Sequence, residues 1–175
     1  SLGADFRVNV YQPMYTTEFM PSFDQYWQAF NFLFKNTEII SVSEPLVNTF
    51  LGINGLKGTP CGGYSMRLTP DGYLKACVYW PESDLTIADL IQQKEAIFDS
   101  PYFQQTHQIP QFCLTCEHVD NCGGGCAARR KLRNRFDKPD EFCPIFRNKP
   151  IKIEGRLSSA TKPTRTGSIC TTIIR

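Results

Sequence analysis

The sequence contains no run of eighteen apolar residues, so no segment reads as a helix that crosses a membrane. It opens Ser-Leu-Gly-Ala-Asp, with neither a basic region followed by an apolar stretch nor an initiator methionine. The expectation is that there is no secretory leader and that residue 1 is a cut in a longer chain. Charge of one sign is missing too: 19 Lys and Arg face 17 Asp and Glu, a net charge of +2. That balance gives no electrostatic case for a nucleic-acid or membrane partner. Histidine is limited to two residues, and no cysteine precedes Cys61. What the chain does have is a hydrophobic content of 41%, enough to pack a core and to argue against wholesale disorder, and eight cysteines in 175 residues. In a secreted domain those would read as four disulfides. With no export signal and with tight spacings, a reducing, cytoplasmic compartment with thiolates as metal ligands is favoured, because two cysteines separated by two residues bridge each other awkwardly but fit around one metal.

Arg7 to Tyr11 alternates polar and apolar residues up to Pro13 and predicts a strand. Ser22 to Asn36 predicts a helix: Ser22 and Gln25 have capping-box spacing, and Phe23, Tyr26, Trp27, Phe30, Leu33 and Phe34 recur at helical intervals. Glu38 to Val42 reads as a second strand, so the start of the chain resembles a β/α unit of a parallel sheet. Gly52 to Gly63 marks a boundary. Tyr64 to Leu68 and Tyr73 to Val78 then form a predicted hairpin around Pro-Asp-Gly72. Asp84 to Ser100 predicts an amphipathic helix with Ile87, Leu90, Ile91, Ile97 and Phe98 on one face. Ala127 to Phe136 predicts a short basic helix, and the polar, aperiodic tail after Lys149 is expected to be mobile. Ile-Glu-Gly-Arg156 in that tail resembles a protease-cleavage tag as much as a chance match.

The cysteines are the chemical signal. Cys113-Leu-Thr-Cys116 is followed after five residues by Cys122, then by three glycines and Cys126; Cys143-Pro144 comes later. Three glycines permit positive φ and close wrapping of backbone, whose amides can donate to cluster sulfides. Four-cysteine zinc is the serious rival, since zinc takes the same ligands, and disulfides come third. Seven cysteines exceed one structural zinc and fit two sites, one full and one a ligand short.

Cys61, ten residues to Gly72, and four more to Cys77 match Cys-x9–15-Gly-x4-Cys, while Cys113, Cys116, Cys122 and Cys126 match Cys-x2-Cys-x5-Cys-x3-Cys, with Cys143 in the last position. Over residues 61–144 the chain therefore resembles the SPASM domain, the auxiliary-cluster domain at the C-terminus of many radical SAM enzymes. The resemblance implies two 4Fe–4S clusters with crossed ligation: Cys61, Cys77 and Cys126 on the first, Cys113, Cys116, Cys122 and Cys143 on the second. The first would lack a fourth protein cysteine, and Cys170 is left as a non-ligand. Residues 1–58 resemble the end of a radical SAM partial β/α barrel, 59–148 the SPASM domain, and 149–175 a flexible tail, giving an α+β chain. The Cys-x3-Cys-x2-Cys motif of the SAM-binding cluster is absent from these 175 residues. S-adenosylmethionine is thus expected only in an intact parent enzyme, with no catalytic residue in this chain.

The function implied is that of a maturase part acting on a peptide or protein substrate, with a ferredoxin- or flavodoxin-like electron donor. The alternatives are a stand-alone iron–sulfur electron-transfer module and a zinc-binding interaction domain. Among other polar residues, Arg7, Asn9 and Tyr11 share one strand face, pointing either into a cavity or to solvent. His107 and His118 flank the cysteine segment and read as surface or supporting groups. Arg129, Arg130, Lys131 and Arg133 form a basic run, either a solvated face or an offset to the negative charge of a thiolate-ligated cluster.

Overall fold

The computed structural model describes residues 6–36, 39–42, 44–52, 61–63, 65–154, 164–165 and 172–173. Cys170, most of the Gly-rich boundary and the end of the Ile-Glu-Gly-Arg segment lie outside them. The architecture is α+β and mostly helical. β1 (Phe6–Val8) and β2 (Ile39–Val42) pair in parallel and flank α1 (Phe23–Asn36), as the β/α pattern predicts. The capping box at the start of α1 forms: Ser22 N donates to Gln25 Oε1 at 2.8 Å and Gln25 N to Ser22 Oγ at 3.2 Å. A helix that sequence periodicity had not marked, α2 (Pro45–Phe50), follows β2, with Pro45 in its first turn, where a missing N–H costs nothing.

The hairpin is shorter than expected, with β3 (Arg67–Leu68) paired antiparallel to β4 (Leu74–Lys75). Its turn is built as Pro-Asp-Gly predicts: Gly72 has φ +89°, and Thr69 closes the loop by accepting from Tyr73 N at 2.9 Å. The strand stops because the next backbone groups are used elsewhere. Ala76 N, just past the strand, donates to the Tyr102 hydroxyl.

The predicted helix over 84–100 is corrected. Thr86 and Asp89 cap α3 (Ile87–Gln93), but Lys94 takes φ +51° and the chain tightens into a 3₁₀ turn over Lys94–Asp99. The five apolar residues thus share no face: Ile97 is fully buried while Ile87 and Ile91 are exposed. After α4 (Pro101–Gln104) and α5 (Val119–Cys122), α6 runs only over Ala127–Leu132, because Asn134 turns left-handed at φ +52°. Pro144–Arg147 forms α7. The segment after Lys149 is joined to the fold in part. Ile151 and Ile153 pack on the core, and β5 (Thr164–Arg165) and β6 (Thr172–Ile173) extend the sheet in the order β1-β2-β6-β5.

Two cores result. The first joins Tyr26, Trp27, Phe30 and Phe34 of α1 and Leu46 and Val47 of α2 to Cys122, Phe142 and Cys143, so it draws on both sides of the boundary expected at 58–59. Tyr26 stacks on Phe142 with centroids 4.2 Å apart, and Trp27 Nε1 donates to Phe142 O at 3.0 Å. The second gathers Cys61, Leu74, Ala76, Cys77, Trp80, Ile97, Phe103, Ala127 and Ala128.

Between them lies Arg129, 1% exposed, whose Nη2 stands 2.7 Å from Glu44 Oε2 and 2.6 Å from Asp140 Oδ2. Burial works against its charge, but Asp140 and Glu44 together outweigh it and hold its pKa above the ordinary arginine range. Removing one partner of such a group leaves uncompensated charge in the interior. Arg129→Ala should therefore lower the unfolding free energy by about 3–5 kcal/mol. Lys75→Ala, which breaks a 3.9 Å pair with the exposed Glu82, should cost less than about 1 kcal/mol. Urea unfolding of both variants tests this; equal losses would refute the central role of Arg129.

Candidate metal centre

The seven described cysteines are all free thiols, and five of them are buried. They sort in space into two groups that interleave along the chain.

In the first, the Cys61 and Cys77 thiols hydrogen-bond to each other in the second core. Cys126 packs against that core and feels the charge of Cys61, while Tyr79 feels both Cys77 and Cys126. Cys61 is held from behind, as its carbonyl accepts from Thr106 Oγ1 at 2.8 Å. Gly62 must have no side chain there, because it takes φ +72° and a Cβ would run into Thr106 Oγ1. Cys77 is placed by the bend after β4, where Tyr79 N points at its Sγ at 3.5 Å.

In the second group, Cys113, Cys116, Cys122 and Cys143 line one cavity of ≈ 370 Å³, its open mouth included, together with Leu46 and His118. A 3₁₀ turn over Gln111–Cys113 presents Cys113, whose N donates to Pro110 O at 2.8 Å, and Cys116 N donates on to Cys113 O at 3.1 Å. Cys122 closes α5, with its N bonded to His118 O at 2.8 Å. Cys143 caps α7, its Sγ accepting from Phe146 N at 3.5 Å. Amides aimed at sulfur are the donors that a thiolate ligand uses. Among the described residues no group of three or more His, Cys, Asp or Glu side chains is arranged to hold a metal ion.

Every resolved shift pushes the thiols toward the protonated form. For Cys77 the Cys61 hydrogen bond is the leading cause, followed by burial. For the rest burial leads: it pushes Cys113 up to about 11 and Cys122 to about 12, with neighbouring Cys143 adding to both. Burial also raises Cys126 and Cys143, against the pull of Arg129 on one and of the Phe146 and Ile145 amides on the other. Metal ligation at these positions would have to release protons.

Asp140 separates the groups and touches both. Its Oδ2 accepts from Cys126 N at 2.9 Å, and its carbonyl accepts from Cys143 N at 3.0 Å. The sequence offered no sign of this residue, nor of Glu44, because their partners are distant in the chain. The basic run is corrected as a solvated face: Arg129 and Arg130 are 1% and 2% exposed. His107 is exposed as expected, whereas His118 lines the second group's cavity and meets the Phe50 ring at 5.2 Å. Asn9 and Tyr11 lie exposed beyond the end of β1, and the Tyr11 hydroxyl donates to Thr16 O in its own loop. Comparison of the chain with protein-family models, with curated proteins and with solved structures finds no match.

The three glycines bring Cys122 and Cys126 to opposite groups, with φ +60°, +81° and +85°. A Cβ on Gly124 would stand 2.6 Å from Pro110 Cδ, and one on Gly125 would overlap Asp140. Gly72 has open space around it. Gly72→Ala should therefore cost only the left-handed backbone strain, about 1–2 kcal/mol. Gly124→Ala and Gly125→Ala should each cost clearly more in the same denaturant titration; costs no larger than that of Gly72→Ala would mean the loop is not tightly held.

Proposed function

We propose that this chain holds two 4Fe–4S clusters as the auxiliary-cluster part of a radical SAM/SPASM enzyme that modifies a peptide or protein. The observation that supports it most is the crossed grouping of the cysteines. Cys126 leaves its sequence neighbours to join Cys61 and Cys77, while Cys143 joins Cys113, Cys116 and Cys122. A parallel β1-α1-β2 unit ahead of the cysteines is consistent with the end of a β/α partial barrel.

The residues suit a cluster better than a lone zinc. Zinc at about 2.3 Å from each sulfur draws four thiolates tightly together. Iron atoms standing between ligands need them further apart, and four cysteines that line one cavity are compatible with that demand. Tyr79 N and Phe146 N already point at ligand sulfurs. When bound, a cluster on four cysteines supplies one-electron chemistry from a closed site, and a cluster on three leaves an iron able to ligate substrate. On the protein side, Thr106 fixes Cys61, Asp140 fixes the backbone at Cys126 and Cys143, and five of the seven cysteines are buried away from water.

Anaerobic reconstitution should give about eight iron and eight acid-labile sulfide per chain, the content of two cubanes. Cys116→Ala should lose the second group's iron and loosen residues 113–143, since metal binding there is also folding energy. Cys61→Ala should lose mainly the first group's. Stoichiometric zinc in colourless protein without sulfide would sink the proposal, and equal loss of all iron in both variants would sink the three-plus-four assignment.

These 175 residues carry no Cys-x3-Cys-x2-Cys segment to chelate the amino-acid end of SAM. The reconstituted chain should therefore release no 5′-deoxyadenosine from SAM under reducing conditions. Its appearance in a chromatographic assay would overturn that expectation.

A further inference from the structure

Of the four cations in the basic run, three are occupied. Arg129 is gripped by Glu44 and Asp140. Arg133 Nε stands 3.3 Å from Glu141 Oε1, an ion pair in which neither atom makes a hydrogen bond. Lys131 Nζ donates to Gln105 Oε1 at 3.0 Å and lies over the Trp80 and Phe136 rings.

Arg130 lies over the Phe136 ring too, at 5.0 Å, but unlike Lys131 it is buried. It is 2% exposed, yet among the described residues no carboxylate comes within ion-pair distance of it. Its Nη1 donates to Phe136 O at 2.6 Å and its Nη2 to Gln108 O at 3.0 Å, while its Nε is buried with no partner. A guanidinium taken out of water without a counter-ion is costly. Its place in the fold says where the missing negative charge belongs. The Arg130 amide bonds to Cys126 O at 3.1 Å, one turn into the helix that Cys126 begins. The side chain reaches Gln108, two residues before Pro110, whose carbonyl accepts from Cys113 N. Arg130 thus spans from a cysteine of the first group to the lead-in of a cysteine of the second, and after Asp140 it is Cys126, Cys113 and Cys122 whose charge, once ionised, would act on it. As free thiols these are neutral; as metal ligands they are thiolates.

We propose that Arg130 is the resident counter-charge of the cysteine groups, its buried Nε–H donating to a ligand or cluster sulfur and its charge favouring the reduced, more negative cluster. This rests on the cluster-binding reading above. A fixed cation in a poorly screened interior stabilises an added electron, so it raises the potential. Arg130 acts through the cluster's surroundings and is a positioning residue.

The test uses anaerobically reconstituted wild type, Arg130→Gln, Arg130→Lys and, as control, Arg133→Gln. Iron and sulfide are counted first, and the midpoints are then read by a redox titration followed by electron paramagnetic resonance. Arg130→Gln should load iron and lower the midpoint of at least one cluster. At the wild-type midpoint its oxidised-to-reduced ratio should rise about tenfold, which is about 59 mV for one electron. Arg130→Lys should return most of that shift, and Arg133→Gln should leave the midpoints unchanged. Arg130→Gln with full iron and wild-type midpoints overturns the proposal. Should Arg130→Gln fail to load, the lysine variant decides. Lysine lacks the fork that holds Phe136 O and Gln108 O, so its loading with wild-type midpoints supports a charge role, and its failure to load assigns Arg130 to structure alone and overturns the proposal. Wild type that takes up no iron removes the cluster reading itself, and this inference with it.

Discussion

At the centre of the molecule the Arg129 guanidinium lies with Glu44 on one side and Asp140 on the other, over the face of Phe142 at 4.8 Å. One cation cannot satisfy two carboxylates alone, and the fold supplies further donors: the Tyr26 hydroxyl to Glu44 at 3.0 Å, and the Cys126 and Phe142 amides to Asp140 at 2.9 and 3.1 Å. Burial, with Glu44 beside it, pushes the Tyr26 hydroxyl well above its ordinary pKa and keeps it a donor. A buried ionic network is weak evidence for net stability, since desolvation opposes it. Its strength here is directional. Through Tyr26, Glu44, Arg129 and Asp140 it ties α1, the start of α2, α6 and the last cysteine segment together, and so helps to set how the two cores sit on each other.

The cysteine groups follow from that arrangement. Asp140 holds the amide of Cys126 with its side chain and the amide of Cys143 with its carbonyl, so the two cysteines that cross between groups are fixed by one residue. The close seating of Gly125 against Asp140 and of Gly124 against Pro110 then allows three residues to span from Cys122 in one group to Cys126 in the other. A side chain at either glycine would push the groups apart.

How much of this could be read in advance depends on how local each cause is. The Ser22–Gln25 cap, the aromatic face of α1 and the Pro-Asp-Gly turn are set by residues within a few positions, and they appear where the sequence predicts them. The helix expected over 84–100 fails because Lys94 breaks it and Ile97 is drawn into a core with Leu74 and Phe103, contacts that periodicity cannot contain. α2 escaped notice because six residues are too few to display a period. At the candidate site, cysteine spacing singled out the seven residues, while their division into two crossed groups was what the resemblance implied. The positions that arrange them did not show: Glu44 is 85 residues from Arg129, and a run of four cations in sequence looks the same whether it faces water or the interior.

The remaining step concerns how the chain holds seven thiols in two small cores. A protonated cysteine packs as a small hydrophobe. Burial and the Cys61–Cys77 hydrogen bond favour that form, so the cysteines can close both cores as apolar side chains. The interior around them is asymmetric in charge, however. Arg129 is satisfied within its own network, whereas Arg130 keeps a buried Nε–H without an acceptor. Burial pulls the Arg130 pKa below arginine's ordinary value, against the opposing pull of Asp140 and the cysteines. Neutral thiols leave that imbalance standing, and ionised ones relieve it. The same side chains therefore close the cores while they are protonated, and their ionisation would bring negative charge toward a guanidinium that no described carboxylate meets.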